Sequence, residues 1–245
     1  MKQYFWNTAL CTVLALAMSA MASASDRTDD DHPIDANVSK VFLEGTAFLQ
    51  LHQGATPALV VHGNREDLQI HAAGDTLHID GGGGVYRVDL TLPNLSQFTS
   101  SGIGNAQIDG FSGDNLLLNV TGTGSVSVNT HYRQVMIHST GVGSVNVNDG
   151  ECDRIEVNAP GAGHVTLAGQ ARELVGKING VAGLDATELK ADNVTAYLNG
   201  FGNIKVYARK VANMHLHGMG SVTVFGNPAT RSAEVSGFGK INWEE

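Results

Sequence analysis

The nine residues TGTGSVSVN (121–129) recur almost unchanged as TGVGSVNVN (140–148). The Gly-x-Gly of each copy belongs to a series of eight, whose first glycines are separated by 20, 19, 20, 19, 20, 18 and 19 residues. A sustained period of about 20 residues is typical of a solenoid, in which each coil buries its apolar face only by stacking on its neighbours. These first glycines, called markers below, are Gly102, Gly122, Gly141, Gly161, Gly180, Gly200, Gly218 and Gly237.

Apolar and polar residues alternate on both sides of each marker. Around Gly122, for example, Leu118 and Val120 precede the marker, and Val126 and Val128 follow it. A period of two indicates β-strands, and nothing in the interval has helical spacing. Short strands that repeat in register predict an all-β fold, a single-stranded parallel β-helix (solenoid) with coils of about 20 residues.

The markers are predicted to be structural corners of the coils. A corner between two strands needs either a positive φ or close packing against the next coil, and glycine permits both. The fifth copy, NGVAGLDAT, keeps Gly180 but has Ala182 in place of the second glycine. We therefore expect a locally distorted corner in this copy.

Both ends of the solenoid are predicted to differ from its middle. Residues 41–98 contain strand-like runs without the marker. They are expected to form less regular coils that cap the N-terminal end, as terminal repeats do. The last strand, EVSGFGKINW (234–243), is expected to leave its outer edge open, and an open edge favours a weak homo-oligomer through the C-terminal coil.

The N-terminal residues have the pattern of an export signal. Residues 1–24 combine Lys2, an apolar run and the small residues of Ala22-Ser23-Ala24, as signal peptides do. Residues 25–40 are acidic and poor in apolar groups, which predicts a disordered leader and assigns the β-helix to 41–245. The apolar run is shorter than the roughly 20 residues of a membrane helix, so no membrane insertion is expected. We expect export to the periplasm or the cell exterior of a bacterium.

The charge of the chain argues against one class of partner. It has 15 basic and 24 acidic residues, a formal net charge of −9 at pH 7. Proteins bind nucleic acids largely through basic residues that neutralise phosphates. We therefore expect no nucleic acid partner.

The sequence resembles the head GIN domain family of auto-transporter adhesins over about residues 40 to 243. The resemblance is carried by an ordered series of motifs: FLEGTAFLQLHQG, GDTLHI, VDLTLPNLSQFTSSGIGNAQI, and then repeats such as VTGTGSVSV and EVSGFGKINW. It implies an exported, adhesin-like parallel β-helix that is right-handed. It implies no catalytic or binding residues that could be transferred to this chain.

Short polar side chains occupy the outward positions three and five residues after the markers. Such side chains lose little entropy when they are ordered, and they can hydrogen-bond an extended ligand. They predict a non-catalytic binding or structural module of the cell envelope, whose polar sheet faces contact a glycan or an envelope protein. An equally simple interpretation is that they only make the strands soluble. The binding candidates are Asn105, Ser125, Ser144, Asn146, Thr166, Asn203 and Thr223.

The alternative function is a polysaccharide-active enzyme on the β-helix scaffold. Glycoside hydrolysis needs two facing carboxylates. Asp185 is the one carboxylate at the outward positions just described, and the other acids gather near the opposite corner, as in Asp114, Glu151 and Asp153. We interpret that group as a solvated edge, so the chain is predicted not to be an enzyme.

Neither a cofactor nor a metal ion is expected, although His215 and His217 are weak metal-binding candidates. They flank Leu216 on a strand, so both point outward, and they could hold a metal if a third ligand came from an adjacent coil. His138 occupies the equivalent place four coils away, roughly 19 Å at the strand spacing of about 4.8 Å, which is too far. Cys152, the one cysteine outside the predicted signal peptide, is interpreted as a buried packing thiol.

Overall fold

The computed structural model describes residues 34–62, 67–82 and 84–244, and all the regular elements in these ranges are β-strands. The predicted signal peptide, 1–24, lies outside the described residues, as does most of the predicted leader. No helix in the described part of the chain could cross a membrane. The strands are β1 (Lys40–Glu44), β2 (Thr46–Gln53), β3 (Ala58–His62), β4 (Gln69–Ala73), β5 (Thr76–Asp80), β6 (Tyr86–Leu92), β7 (Gln97–Ser100), β8 (Ile103–Val120), β9 (Thr123–Ser139), β10 (Val142–Ala159), β11 (His164–Ile178), β12 (Val181–Leu198), β13 (Phe201–Leu216), β14 (Met219–Phe225), β15 (Thr230–Val235) and β16 (Phe238–Trp243).

The strands stack in parallel into a β-solenoid of about 7 turns, which confirms the predicted fold. Each of β8 to β13 runs along a whole coil and pairs with the coil before it in the register of the repeat, so that Val126 lies beside Ala106 and Val145 beside Val126. We call the half of a coil that follows a marker the front strand, and the half that precedes the next marker the back strand. The bend between them, where the pairing register shifts, is called the far corner.

The apolar core fills the inside of this coil. Residues four and six positions after the markers point inward as predicted, and both Val145 and Leu167 are buried. The back strands contribute a second inward row that includes Ile137 and Leu174. Each such side chain contributes about 1.5–3 kcal/mol by leaving water, and the contributions of neighbouring coils form one continuous cluster.

The markers are glycines because the coils approach one another too closely for a side chain. A Cβ atom added at Gly141 would lie 2.0 Å from the carbonyl oxygen of Gly122, and one added at Gly122 would lie 2.0 Å from that of Gly102. The same contact occurs between Gly102 and Gly45, at 1.8 Å, so the column of corner glycines extends into the N-terminal coil. Of the two reasons that the sequence left open, close packing therefore applies at the eight markers, whereas Gly45 also has a positive φ of 70°.

The distorted corner lies one coil away from its predicted place. β12 begins at Val181, and its front strand keeps an uninterrupted register with β13 up to Ala186. The irregular corner is 161–163, which precedes the start of β11 at His164. The corner at Gly180 remains hydrogen-bonded to the preceding coil, because the backbone N–H groups of Val181 and Gly183 donate to the carbonyl oxygens of Gly161 and Gly163 at 3.0 and 3.1 Å. The prediction of a distortion within the copy at Gly180 was therefore wrong in position.

The N-terminal coils are stacked out of sequence order. β1 pairs with both β5 and β7, and β2 pairs with both β6 and β8, so the first coil of the chain lies inside the stack. β3 and β4 then cover β6 and β5 as antiparallel strands. β1 starts at Lys40, one residue before the predicted boundary at 41, and the apolar side chains of Ile34 and Val38 pack against the core.

The C-terminal coil is paired on one side in the described residues. β15 pairs with β13, and β16 pairs with β14. Val235 is 48% exposed and Phe238 is 82% exposed, whereas Ile241 and Trp243 are partly buried against the core. The outer edge of this coil thus combines unpaired strands with apolar side chains.

Candidate functional site

The predicted polar ladder lies on the front strands, where its members hydrogen-bond to one another. The backbone N–H of Ser125 donates to Asn105 Oδ1 at 3.0 Å, and the hydroxyls of Ser125 and Ser144 are 2.8 Å apart. Farther along the same column, the hydroxyl of Ser221 donates to Asn203 Oδ1 at 2.8 Å. These bonds run from coil to coil, so much of the ladder's hydrogen-bonding capacity is used within the protein.

The seven binding candidates do not form a single site. Asn105 and Asn203 share a column but are five coils apart, about 24 Å at the spacing of β-strands. Asn146 and Thr166 are neighbours in the second column, on β10 and β11. Thr223 is only 9% exposed, so it offers little surface to a ligand.

A cleft interrupts the ladder at Gly183. This glycine stands between His164 and Asn203 in the outward column, where it removes one side chain from the series. A Cβ at this position would lie 2.5 Å from His164 Nδ1, so the imidazole ring occupies part of the space that a side chain would fill. The cleft has a volume of about 370 Å³, and it is also lined by Val181 and Phe201.

Apolar side chains form a second, unpredicted column beside the ladder. They are the middle residues of the three-residue corners, where flanking glycines, with Ala182 in place of one of them beside Val181, leave them standing alone on the surface. Val181 is 66% exposed and Phe201 is 55% exposed. Exposed apolar groups that are aligned in this way are unusual on a protein surface and are typical of a contact site. The large members of the column are Ile103, Val142, Val181, Phe201, Met219 and Phe238.

The cleft joins this apolar column to charged side chains. Asp185 and Lys205 lie at neighbouring register positions on β12 and β13, and both line the cleft. Asp185 Oδ1 accepts hydrogen bonds from the Thr187 hydroxyl at 2.7 Å and from the Thr187 backbone N–H at 3.2 Å, which orients the carboxylate. An aromatic ring next to amide, carboxylate and ammonium groups can contact both the apolar and the polar parts of one small ligand.

The two candidate metal ligands lie together on the back strand of β13. His215 pairs in register with Glu234 of β15, and its Nδ1 is 3.0 Å from Glu234 Oε2. The rings of His215 and His217 are nearly parallel, with centroids 6.5 Å apart. Glu234 is the residue that sequence reasoning missed. The repeat spacing predicts that Glu234 lies beside His215, because Glu234 stands three residues before Gly237, as His215 stands three before Gly218.

The family model described as "Putative auto-transporter adhesin, head GIN domain" matches residues 37–228. The chain belongs to this family. No curated protein matches it.

Solved structures with the same fold cover nearly all of this GIN-domain chain. A "putative adhesin" from Bacteroides fragilis NCTC 9343 is 23% identical, with a TM-score of 0.66 over 90% of this chain and 98% of the other. A "putative lipid binding protein" from Parabacteroides distasonis ATCC 8503 is 18% identical, with a TM-score of 0.77 over 89% and 97%. A "putative adhesin" from Parabacteroides merdae ATCC 43184 is also 18% identical, with a TM-score of 0.77 over 91% and 98%. At these identities the likeness shows the fold alone.

The acidic residues at the far corner of the GIN domain are joined to arginines. Asp153 lies 3.1 Å from Arg133 and 3.3 Å from Arg172, and Asp192 lies 2.8 Å from Arg209. Hydrogen bonding from Lys210 lowers the pKa of Asp192, so this carboxyl group is held in its charged form. A general acid needs the opposite, a carboxyl group whose pKa is raised. This edge is thus a network of surface ion pairs rather than a set of simply solvated acids.

Two titratable side chains are buried behind this corner. Burial raises the pKa of Cys152 to about 11, with the carboxylate of Asp149 as a further cause, and its thiol contacts the carbonyl oxygens of Arg133 and Arg154, each at 3.2 Å. Burial also raises the pKa of Asp149 to about 6, although the backbone N–H of Tyr132 donates to its carboxylate at 3.1 Å. The thiol is therefore a packing group, as predicted.

Proposed function

We propose that this protein is a non-catalytic, exported, adhesin-like module that binds a glycan on its polar front face, at the cleft around Gly183. The observation that carries the proposal is the combination of Phe201 and Val181 with Asn203, Asp185 and Lys205 in one opening. The CH groups of a sugar ring pack on an aromatic face, while its hydroxyls bond to amide and carboxylate groups. The adhesin names of the family and of its solved members, and the signal-like sequence of 1–24, support a role at the cell envelope.

The shape of the cleft favours a glycan over other ligands. A buried acyl chain needs an enclosed apolar cavity, whereas this cleft is open to solvent and has charged side chains at its rim. Glycoside hydrolysis needs a second carboxylate about 5–9.5 Å from the first. Asp185 is the one carboxylate among the described residues that line the cleft. We therefore propose that the cleft binds a glycan without hydrolysing it.

The proposal predicts that Phe201→Ala and Gly183→Asn each weaken glycan binding by about tenfold or more, since central aromatic contacts dominate binding energy. Gly183→Asn fills the cleft, and its Cβ would lie 2.5 Å from Nδ1 of His164, a side-chain atom that can rotate away, but 3.8 Å from the nearest backbone atom within reach, the carbonyl oxygen of Asn203. Residues 25–245 and both variants are applied to a glycan array, and the affinity for each glycan retained by the parent is then measured by calorimetry. Ile103→Ala removes an equally exposed member of the apolar column far from the cleft and serves as the control.

Two outcomes of this experiment would count against the proposal. If no glycan is retained by the parent chain, a glycan ligand is excluded over the set tested. If a glycan is retained equally by the parent and by both cleft variants, the cleft is not the binding site. Loss of binding in Ile103→Ala alone would mean that the glycan binds near Ile103, at the opposite end of the apolar column.

We also propose weak self-association through the C-terminal coil. Trp243 is partly buried next to the Arg231 guanidinium, which lies 5.2 Å from the ring centre. Trp243→Lys places a charge on the outer edge, and charge is one way in which proteins prevent strands from pairing edge to edge. Sedimentation velocity over a range of concentrations should show association in residues 25–245 that is reduced in the variant. The same distribution in both proteins, or a parent that stays monomeric throughout, would exclude this interface.

A further inference from the structure

We propose that His215, His217 and Glu234 form a binding site for one divalent transition-metal ion, with Zn²⁺ as the best match. Their ligand atoms all lie within 4.8 Å of one another. Among residues 34–62, 67–82 and 84–244, this is the one group of three or more metal-ligating side chains that meets this distance. Two imidazoles and a carboxylate are a common ligand set for a zinc ion that keeps an open position.

The solenoid supplies the geometry of this site. Residues two apart on a strand point to the same side, which brings His215 and His217 together on β13. The parallel register places Glu234 of β15 directly beside His215. Zinc ligands at about 2.0–2.2 Å from the ion lie about 3.4 Å apart in a tetrahedral arrangement. The 3.0 Å between His215 Nδ1 and Glu234 Oε2 is close to that value, so small side-chain rotations suffice.

Neighbouring side chains hold both rings in place. Tyr197, on the preceding coil, stacks on His215 with ring centres 4.6 Å apart and planes within 8°. The hydroxyl of Ser236 forms a hydrogen bond with His217 Nδ1. Outer groups of this kind orient metal-binding imidazoles and increase metal affinity. The three ligands thus belong to an arrangement that extends over three consecutive coils.

The site is open on its outer side. The side chain of His215 is 26% exposed and that of Glu234 is 62% exposed. A bound ion would therefore keep one coordination position for water or for a carboxylate or imidazole of another molecule. Because the site lies on the back strands, it is independent of the cleft on the front face, and either could exist without the other.

Metal binding is tested by titrating untagged residues 25–245 with ZnSO₄ in competition with a chromophoric chelator. We expect one Zn²⁺ per chain with a Kd in the micromolar range, and weakening by about tenfold or more in His217→Ala and in Glu234→Gln. Both changes are at exposed positions, so folding should be retained. Zinc should also raise the Tm of the parent, since a ligand that binds the folded state stabilises it.

His138→Ala is the matched control. His138 occupies the same column as His215, but its register neighbours are Asn119 and Asn158, which are poor zinc ligands. The His138→Ala variant should bind Zn²⁺ as the parent does. The proposal is overturned if the parent shows no saturable binding, if Glu234→Gln and His217→Ala bind as tightly as the parent, or if His138→Ala loses the site.

Discussion

Gly141→Val should lower the free energy of unfolding by at least about 3 kcal/mol, the upper range for overpacking in a protein interior. Its first side-chain atom would lie 2.0 Å from the carbonyl oxygen of Gly122, which is backbone and is fixed by the stacking of two coils. The coils can accommodate the new atoms only by separating, and separation breaks the parallel hydrogen bonds on both sides of the corner. Urea unfolding followed by circular dichroism measures the change.

Thr140→Val is the control for this experiment, because it adds a similar side chain at the adjacent position. Thr140 is exposed, so the change should alter stability by less than about 0.5 kcal/mol. Similar losses in the two variants would mean that the corner tolerates a side chain, and that the glycine column has no steric role.

Asp149→Asn should stabilise the protein at pH 8 by roughly 3 kcal/mol, because the pKa difference between about 6 and 3.8 amounts to this much at about 1.4 kcal/mol for each unit. The pKa of Asp149 is about 6 in the folded protein, against an ordinary value of 3.8, and burial is the main cause. The unfolded chain therefore loses this proton at lower pH than the folded protein does. Stability falls as pH rises from about 4 to about 6, and the cost of the buried charge is fully present above that range.

The asparagine should remove this cost without losing the existing hydrogen bond. Its carbonyl oxygen can accept from the backbone N–H of Tyr132, as the carboxylate does. Its amide can donate to the hydroxyl of Thr130, which is the register neighbour of Asp149 and has no hydrogen-bond partner in the described structure. At pH 4 the two proteins should have similar stabilities.

Urea unfolding at pH 4.5 and pH 8 tests the role of Asp149, with Asp153→Asn as the control. Asp153 is partly exposed and lies in the arginine network, so its replacement should not stabilise the protein at pH 8. If Asp149→Asn is less stable than the parent at pH 8, the buried charge is compensated by contacts stronger than its hydrogen bond from the Tyr132 backbone N–H.

Much of the fold could be predicted from the sequence because the repeat fixes the register. The spacing of the markers placed Val126, Val145 and Val165 in one inward column, and these residues are buried neighbours in the structure. The order of the N-terminal coils could not be predicted in this way. β1 and β5 lack the marker, and strand pairing between unmarked segments depends on tertiary contacts that alternation alone does not specify.

The candidate sites differ in how far the sequence predicts them. The metal-ligating group follows from the repeat, because Glu234 and His215 hold the same position relative to their markers on consecutive coils. The cleft could not have been found in this way. It results from the absence of a side chain at Gly183 and from the position of the His164 ring, and neither the volume nor the ring position follows from a repeat.

The position of the first coil inside the stack affects how the chain assembles during synthesis. β1 and β2 leave the ribosome before any of their four parallel partners, and the last of these, in β8, is complete only after residue 109. Until then one edge of β2 is unpaired, and unpaired edges promote aggregation. The first coil therefore cannot complete its pairing until more than one hundred residues have been made, whereas the regular coils that follow can each add to a finished neighbour.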